Sequence, residues 1–317
     1  SKVSNVRRKK FAPLIAGVAD NVPLDELLEK YPNFADCLGP KKYDSGHFIR
    51  LYSDLVRCDR LGDAIDLLQR LSDAKVPCLN DTRIRKHGTV DFLVSCERSN
   101  KLSNSPVTHA FTFTNLVLGA AREELSNAEV ATIYNKLLAV CSAHGDCEAA
   151  AKAFEQMKQD PKGLTIDVIT HTSLIVAYGK AGKVDLAFDQ FNTMTKKDKI
   201  EPTIVTYGAL MDALSREVGR RSGNGGFKSN NKKDISYVKD ALDRVFNLRS
   251  DLQASGLQMD VRVLNCLVSA CGRAAAFEEL RTDALDRAFD IVAESRRNGL
   301  FPDAITYSSL MSGCVNA

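Results

Sequence analysis

The sequence predicts an all-α fold, an α-solenoid of stacked helix-turn-helix repeats, on three observations. A short pattern returns five times: ATIYNKLL from Ala131, VITHTSLI from Val168, IVTYGALM from Ile204, VRVLNCLV from Val261 and AITYSSLM from Ala304. The starts lie 37, 36, 57 and 43 residues apart, so a unit of about 35 residues with insertions in two copies fits, and such periods mark helical solenoids. After several of the patterns an apolar stripe recurs at i, i+4 and i+7, the face of a second helix. Finally, 317 residues with no Trp and 44% hydrophobic content can bury a continuous core between stacked helices.

Residues 1–43 read as an N-terminal extension or cap. RRKKFAPLIAGV, from Arg7, sets a basic run before apolar residues, which suits a first cap better than the remnant of an organelle leader, although the chain opens on Ser1 and a leader cut before it is compatible. Residues 44–130 read as degenerate helical pairs. DSGHFIRLYSDLVRCDRLGDAIDLLQRL, from Asp44, gives a helix, a turn at Gly62 and a second helix with the stripe Ala64, Leu68 and Leu71; residues 81–130 give a weaker pair interrupted near Ser103 to Pro106.

Residues 131–317 carry the clear repeats, at 131–167, 168–203, 204–260, 261–303 and a partial 304–317. In the first, Ala150, Phe154 and Met157 form the second-helix stripe. In the second, Leu174, Ile175 and Tyr178 mark the first helix, Ala181 to Lys183 a turn, and Ala187, Phe191 and Met194 the second; Lys196 to Lys199 mark a solvated end and Pro202 stops the pair. The third is 22 residues longer than the standard unit, and the excess falls in EVGRRSGNGGFKSNNKKDISYV (217–238), read as a flexible basic loop between the two helices. AAAFEELRTD in the fourth lengthens or interrupts a turn. The last half unit supplies one helix whose inner face has no following partner in the sequence, which suggests a fragment of a longer protein or an end covered by something else.

Composition narrows the chemistry. The nine cysteines are an odd count without a CxxC pair and mostly occupy small apolar positions, as in a reducing environment. Cys141 and Cys147 are six apart and Cys266 and Cys271 five apart, with no second pair nearby, so neither a metal nor any other cofactor is implied. The longest apolar runs fall far short of the ~20 residues of a membrane helix. The histidines lie in different units and no GxSxG, HExxH or phosphate loop occurs, so an enzyme is not expected. The net charge of +3 is unevenly spread. Residues 1–10 carry five basic and no acidic residues, and 216–239 carry seven basic against Glu217 and Asp234, which leaves −7 on the remainder.

A unit of this length with Thr or Ile, Tyr and Asn before Leu, Ala-Gly-Lys at the turn, Ala-x-x-x-Phe-x-x-Met in the second helix and Pro-Asp at its end resembles the pentatricopeptide repeat of the P type. Tetratricopeptide repeats would carry a Trp in the first helix. The resemblance is strong over 131–317, moderate over 44–130 and absent over 1–43. It implies a right-handed superhelix whose first helices line a concave groove for single-stranded RNA, about one base per repeat.

By that resemblance, the fifth residue of each first helix reads a base edge and the unit's closing residue braces it. The fifth positions are Asn135, Thr172, Gly208, Asn265 and Ser308; the closing residues are Asp167, Thr203, Asp260 and Asp303. Asn135 with Asp167 and Asn265 with Asp303 would each favour uracil, whereas Gly208 with Asp260 has no side chain to read with. Second positions, which would sandwich the bases, are Thr132, Ile169, Val205, Arg262 and Ile305. Cations for the phosphate backbone would be Lys180, Arg216 and Arg273, with Arg220, Arg221, Lys232 and Lys233 from the basic insertion. Tyr134, Tyr207 and Tyr307 read as core packing. The plainer alternative is that Asn and Thr here cap helices and that Lys or Arg offset helix dipoles.

Two readings of function stay open. One is sequence-selective binding of single-stranded RNA in organellar RNA stabilisation, processing or translation, in the chloroplast or alternatively the mitochondrion. The other is a structural subunit of a large organellar assembly (a ribosome, polymerase or photosynthetic complex) contacting mainly protein or structured RNA. The Asn and Asp pairs favour the first; the acidic body, Gly208 and the long insertions favour the second.

Overall fold

The computed structural model describes residues 18, 20–30, 45–73, 88–99, 106–222 and 232–316. Among them are fourteen α-helices and no strand: α1 Leu24–Lys30, α2 Ser45–Arg57, α3 Leu61–Asp73, α4 Thr89–Arg98, α5 Pro106–Ala121, α6 Asn127–His144, α7 Cys147–Lys158, α8 Val168–Ala181, α9 Val184–Asn192, α10 Ile204–Arg221, α11 Lys232–Ala254, α12 Val261–Ala274, α13 Arg281–Arg297 and α14 Ala304–Asn316. A π turn, Thr193–Lys197, continues α9. No helix among the described residues is long and apolar enough to cross a membrane. The basic run at 1–10, His47 and the Ser103 break lie outside what is described in full. The helices form two compact units, one comprising Ser1–His144 with Lys152–Thr165 and the other Gly145–Ala151 with Ile166–Ala317.

In the first unit α2 pairs with α3, α4 with α5, and α4 and α5 both pack on α6. The centre is aromatic: Phe92 stacks on Phe113 at 4.2 Å between centroids, and Tyr52 on Phe113 at 6.2 Å. The buried Tyr52 hydroxyl donates to the Gly88 carbonyl at 2.9 Å, so its one polar atom is satisfied. Ala64, Leu68 and Leu71 are buried, as their spacing predicts. The turn before them differs from expectation. Gly62 lies inside α3, and the reversal is made by Asp59, with φ at 61°, while the Arg60 Nε bonds Asp63 at 2.6 Å. Asp is one of the few residues that enters the left-handed region at small cost, so glycine is not needed there.

The second unit is a run of pairs, α8 with α9, α10 with α11 and α12 with α13, followed by α14. Its first helices α8, α10, α12 and α14 lie side by side in chain order. Leu210, Leu214, Leu242, Leu264 and Leu267 fill one continuous core, each burial contributing about 1.5–3 kcal/mol. Gly182, with φ at 79°, ends α8 as the Ala-Gly-Lys turn predicts, and Ala187 and Met194 are buried. Along the second helices Arg287 bonds Asp243 at 2.9 Å, Arg249 bonds Glu294, and the Arg244 guanidinium lies 4.0 Å from the Phe188 ring.

The insertion at 217–238 is less of a loop than its composition predicts. Glu217 to Arg221 extend α10, and Lys232 to Val238 open α11. Glu217 bridges Arg220 and Arg221, and Arg221 also bonds Asp234 at 3.0 Å and covers Tyr237 at 3.8 Å, so the charges that suggested a solvated arm hold two helix ends together. AAAFEELRTD does form the connection between α12 and α13, and it buries Phe277 and Leu280.

Glycines set how closely the first helices approach. A methyl group at Gly272 would stand 2.7 Å from the Ser309 carbonyl oxygen, and one at Gly179 2.7 Å from the Ala213 methyl. At Gly208 the nearest atom would be 3.7 Å away, an ordinary contact. Gly272→Ala should therefore lower stability by about 1–3 kcal/mol in urea unfolding followed by circular dichroism, because backbone cannot yield as a side chain can. Gly208→Ala should be neutral or stabilising by up to about 1 kcal/mol, the helix-propensity gain.

Candidate functional site

The closing residues of the repeats are the N-caps of the next first helices. The Asp167 carboxylate accepts the Thr170 backbone N–H at 2.9 Å, Asp260 that of Val263 at 2.8 Å and Asp303 that of Thr306 at 2.9 Å; Thr203 and Thr206 form a capping box. Each satisfies a backbone donor that a helix start leaves open. The plainer alternative from sequence, capping, thus applies to these residues. Thr172, Gly208, Asn265 and Ser308 stand well inside their helices. In the first unit, Ser126 and Glu129 cap α6, so that helix begins one turn before the motif at Ala131.

Asn265 and Asp303 meet. The Asn265 Nδ2 donates to Asp303 Oδ2 at 3.2 Å, and the Thr306 hydroxyl shares its one hydrogen between Asn265 Oδ1 and Asp303 Oδ1, the latter at 3.0 Å. With one amide hydrogen and one lone pair engaged, Asn265 retains one further amide hydrogen and one further lone pair. The backbone N–H of Thr306, then the Asn265 amide and the Thr306 hydroxyl, hold the Asp303 carboxyl below the usual carboxylate range. Thr172 and Thr203 are linked through a third residue: Thr206 Oγ1 lies 2.8 Å from Thr172 Oγ1 and 3.2 Å from Thr203 Oγ1. Thr172 is buried in that chain of hydroxyls. Thr206 and Thr306 were not singled out from sequence, although the recurring Thr at the third helical position was visible in IVTYG and AITYS.

At Gly208 no such link exists, since Val263 replaces the hydroxyl. A cavity of about 260 Å³ opens there, lined by Val205, Gly208, Asp212, Asp260, Arg262 and Cys266 among others. Ser308 is exposed on α14. Asn135 is half-buried on α6 in the first unit, and Asp167 caps α8 in the second.

The second positions face solvent. Ile169 is 57% exposed, Val205 45% and Ile305 61%, and the Arg262 side chain is 72% exposed. Exposed apolar side chains at equivalent places on neighbouring helices are not explained by the core. Thr132 is exposed too, with its hydroxyl donating to the Ala128 carbonyl at 2.8 Å. Tyr134 and Tyr207 are buried, as expected, but Tyr307 is 41% exposed because no described helix covers that face of α14.

The cations fall into two groups. Lys180, Lys232 and Lys233 are exposed. Arg216 bonds Asp212 at 2.7 Å, and Arg220 reaches the Gly179 carbonyl at 3.3 Å as well as Glu217. Arg273 lies in the seam between α10 and α12, donating to Ser215 Oγ at 2.7 Å, and burial pulls its guanidinium below its usual range. Among the described residues no group of three His, Cys, Asp or Glu could hold a metal ion.

Comparison with known proteins bears on these repeats. Family models described as pentatricopeptide repeat domain match residues 159–217 and 247–317, and one described as PPR repeat matches 132–161. A chloroplastic pentatricopeptide repeat-containing protein of Arabidopsis thaliana is 24% identical over 161 residues, 51% of this chain and 27% of the relative. A second from the same plant is 37% identical over 81 residues (26% and 13%), and a mitochondrial one 27% over 84 residues (26% and 11%). The chain thus spans about a quarter or less of the length of these relatives. The solved maize pentatricopeptide repeat protein PPR10 superposes at a TM-score of 0.38 with 16% identity, covering 99% of this chain and 49% of that one. The class defined by fold and pattern is the all-helical repeat protein. Over the matched segments the repeats fit the pentatricopeptide pattern, and there the chain is similar to that family.

The Asn265–Asp303–Thr306 cluster makes a pH prediction. A carboxyl depressed in the folded state contributes stability above its unfolded pKa and loses it as pH falls through the folded value. Carbon-detected NMR titration should place Asp303 below the ordinary aspartate range, and Asn265→Ala should move it back upward.

Proposed function

We propose that this chain binds single-stranded RNA along the first helices of its repeats, with bases held between second-position side chains and read by fifth-position side chains. The exposure of Ile169, Val205, Arg262 and Ile305 at equivalent places carries this reading, and Val205 and Arg262 line one cavity with the fifth position Gly208. A base is a flat apolar face with a polar edge, and a slot with apolar or guanidinium walls and a polar floor matches both. Asn265, with a donor and an acceptor to spare, complements the N3–H and a carbonyl of uracil. Asn135, at the fifth position of the motif from Ala131, is the second candidate for uracil. Lys180, Lys232 and Lys233, exposed near first- and second-helix ends, supply charge for phosphates together with Arg216 and Arg220, which also hold Asp212 and Glu217.

The cellular setting proposed is an organelle, supported by the names of three relatives, two chloroplastic and one mitochondrial. An organellar transcript is the proposed target, and the roles that fit are stabilisation, processing or translation by occupying a single-stranded stretch. The order of the segments SDLVRCDRLGDAIDLLQRL and VSCERSN before the clear repeats is similar to the chloroplast protein that stabilises the RuBisCO large-subunit messenger RNA, which favours stabilisation. A scaffold reading, in which the exposed row docks on proteins of an organellar assembly, draws on Gly208 and on the arginines already engaged in ion pairs.

Selection from a random single-stranded RNA pool separates the two. The chain should enrich uracil at one position that Asn265→Ala makes indifferent, with a loss of roughly 5- to 100-fold in affinity for the selected sequence. Lys180→Ala should weaken all sequences alike and reduce the slope of affinity against salt by about one. Absence of any enriched sequence would leave the scaffold reading.

A further inference from the structure

The second helices of the second unit share a short sequence that takes no part in the first-helix row. It reads VDLAF from Val184 on α9, LDRVF from Leu242 on α11 and LDRAF from Leu285 on α13. Burial of Val184, Ala187, Leu242, Val245 and Ala288, the first and fourth residues, fixes the register. The fifth residue is then Phe188, Phe246 or Phe289, and the third is Leu186, Arg244 or Arg287.

Each of these arginines lies over the phenylalanine of the preceding second helix. The Arg244 guanidinium is 4.0 Å from the centre of the Phe188 ring, and that of Arg287 is 5.1 Å from Phe246. Arg287 also donates at 2.9 Å to Asp243, the acidic residue of the motif that carries Phe246. The negative face of the ring and the carboxylate beside it both attract the cation. The rule holds in the negative on α7. Aligned through Ala150 and Ala187, α7 has Ala151 where the phenylalanine would stand, and α9 correspondingly has Leu186 where the arginine would.

Phe289 is the copy left open. It is 50% exposed, whereas Phe188 and Phe246 are half-buried under their arginines. Asp286, the counterpart of Asp243, is exposed, and among the described residues no cation pairs with it or covers Phe289. Arg287 is already held by Phe246, Asp243 and Asp283.

We infer that Phe289 and Asp286 form a guanidinium-binding site, and that its ligand is an arginine carried on a helix of a partner protein. Two filled copies of the same site in the same molecule define the ligand. A planar guanidinium can lie on a ring while its N–H groups reach a carboxylate at the side, whereas an ammonium is a compact and more strongly hydrated charge. A helix is the carrier in both filled copies. A second copy of this chain is a poor source, because both of its motif arginines already cover its own phenylalanines. Such a partner would attach through the second helices and leave the first-helix row open, so the inference does not depend on the RNA reading.

The test uses the intact chain and a fluorescein-labelled peptide of residues 281–297, the α13 sequence, whose Arg287 fills this kind of site in the fold. The peptide should bind and shift the ring carbon resonances of Phe289. Arg287→Leu in the peptide, which copies α9, should weaken binding roughly 3- to 30-fold, and Arg287→Lys should weaken it less. In the chain, Phe289→Ala and Asp286→Asn should each lower the affinity by a similar factor with the thermal midpoint unchanged, since both side chains are exposed. No peptide binding, binding indifferent to Phe289→Ala, or a lysine peptide that binds as well as the arginine one overturns the inference. Dimerisation in light scattering that Phe289→Ala abolishes would make a second copy the occupant and overturn the partner assignment. RNA selection by the same two variants should match that of the unaltered chain, which keeps failure here distinct from failure of the RNA reading.

Discussion

The second unit depends on how closely its first helices approach. Gly179 lies against Ala213, Gly219 against the Arg273 side chain and Gly272 against Gly313, so small residues stand at each successive crossing of α8, α10, α12 and α14. Helix axes separated by ordinary side chains lie 8–10 Å apart, and glycine at the contact allows the lower end of that range. Only at such separations can a side chain near the start of one helix reach the cap of the next. The bonds from Asn265 to Asp303 and from Thr172 to Thr206 both span that gap. Packing at the far end of each helix therefore fixes polar geometry at the near end.

The caps serve two purposes at once. An N-cap carboxylate or hydroxyl is needed wherever a helix begins, and it brings partial charge to the helix terminus. In three of the four first helices of this unit a Thr at the third position closes the cap and two of these hydroxyls also reach back to the preceding helix. A residue that would be kept for stability alone thus also becomes a buried link between neighbouring first helices. This coupling explains why capping and base reading were hard to separate from sequence: both ask for Asp, Asn or Thr within a few residues of a helix start, and only the fold shows that the closing residues cap while the fifth positions do not.

Much of the fold was legible because its signals are periodic. Leu210, Leu264 and the stripe of Ala187 and Met194 lie where the 3.6-residue period puts them, and Gly182 ends its helix at a positive φ. Other features were not periodic. The turn at Asp59 was misplaced onto Gly62 because glycine is the commoner signal, and the ends of the 217–238 insertion were read as loop because composition conceals that Glu217 and Asp234 pair with the arginines beside them. At the site, the fifth and second positions could be counted from the motif. The linking hydroxyl of Thr206, the seam position of Arg273 and the cavity at Gly208 could not, since each depends on what the neighbouring helix presents.

Charge imposes the last constraint. The arginines nearest the first-helix ends are already engaged: Arg216 with Asp212, Arg220 with Glu217, Arg221 with Glu217 and Asp234, and Arg273 with Ser215 in a seam that burial makes unfavourable for its charge. A cation already paired with a carboxylate releases fewer counterions when a phosphate approaches, so such residues add little sequence-independent attraction. With net charge only +3, a nucleic acid would gain most of its binding free energy from what is exposed and unpaired by the core, the apolar second positions and the edges between them. On the proposed reading, affinity in this chain is thus tied to the same slots that confer selectivity, and weak electrostatics would suppress binding to the wrong sequence as much as to the right one.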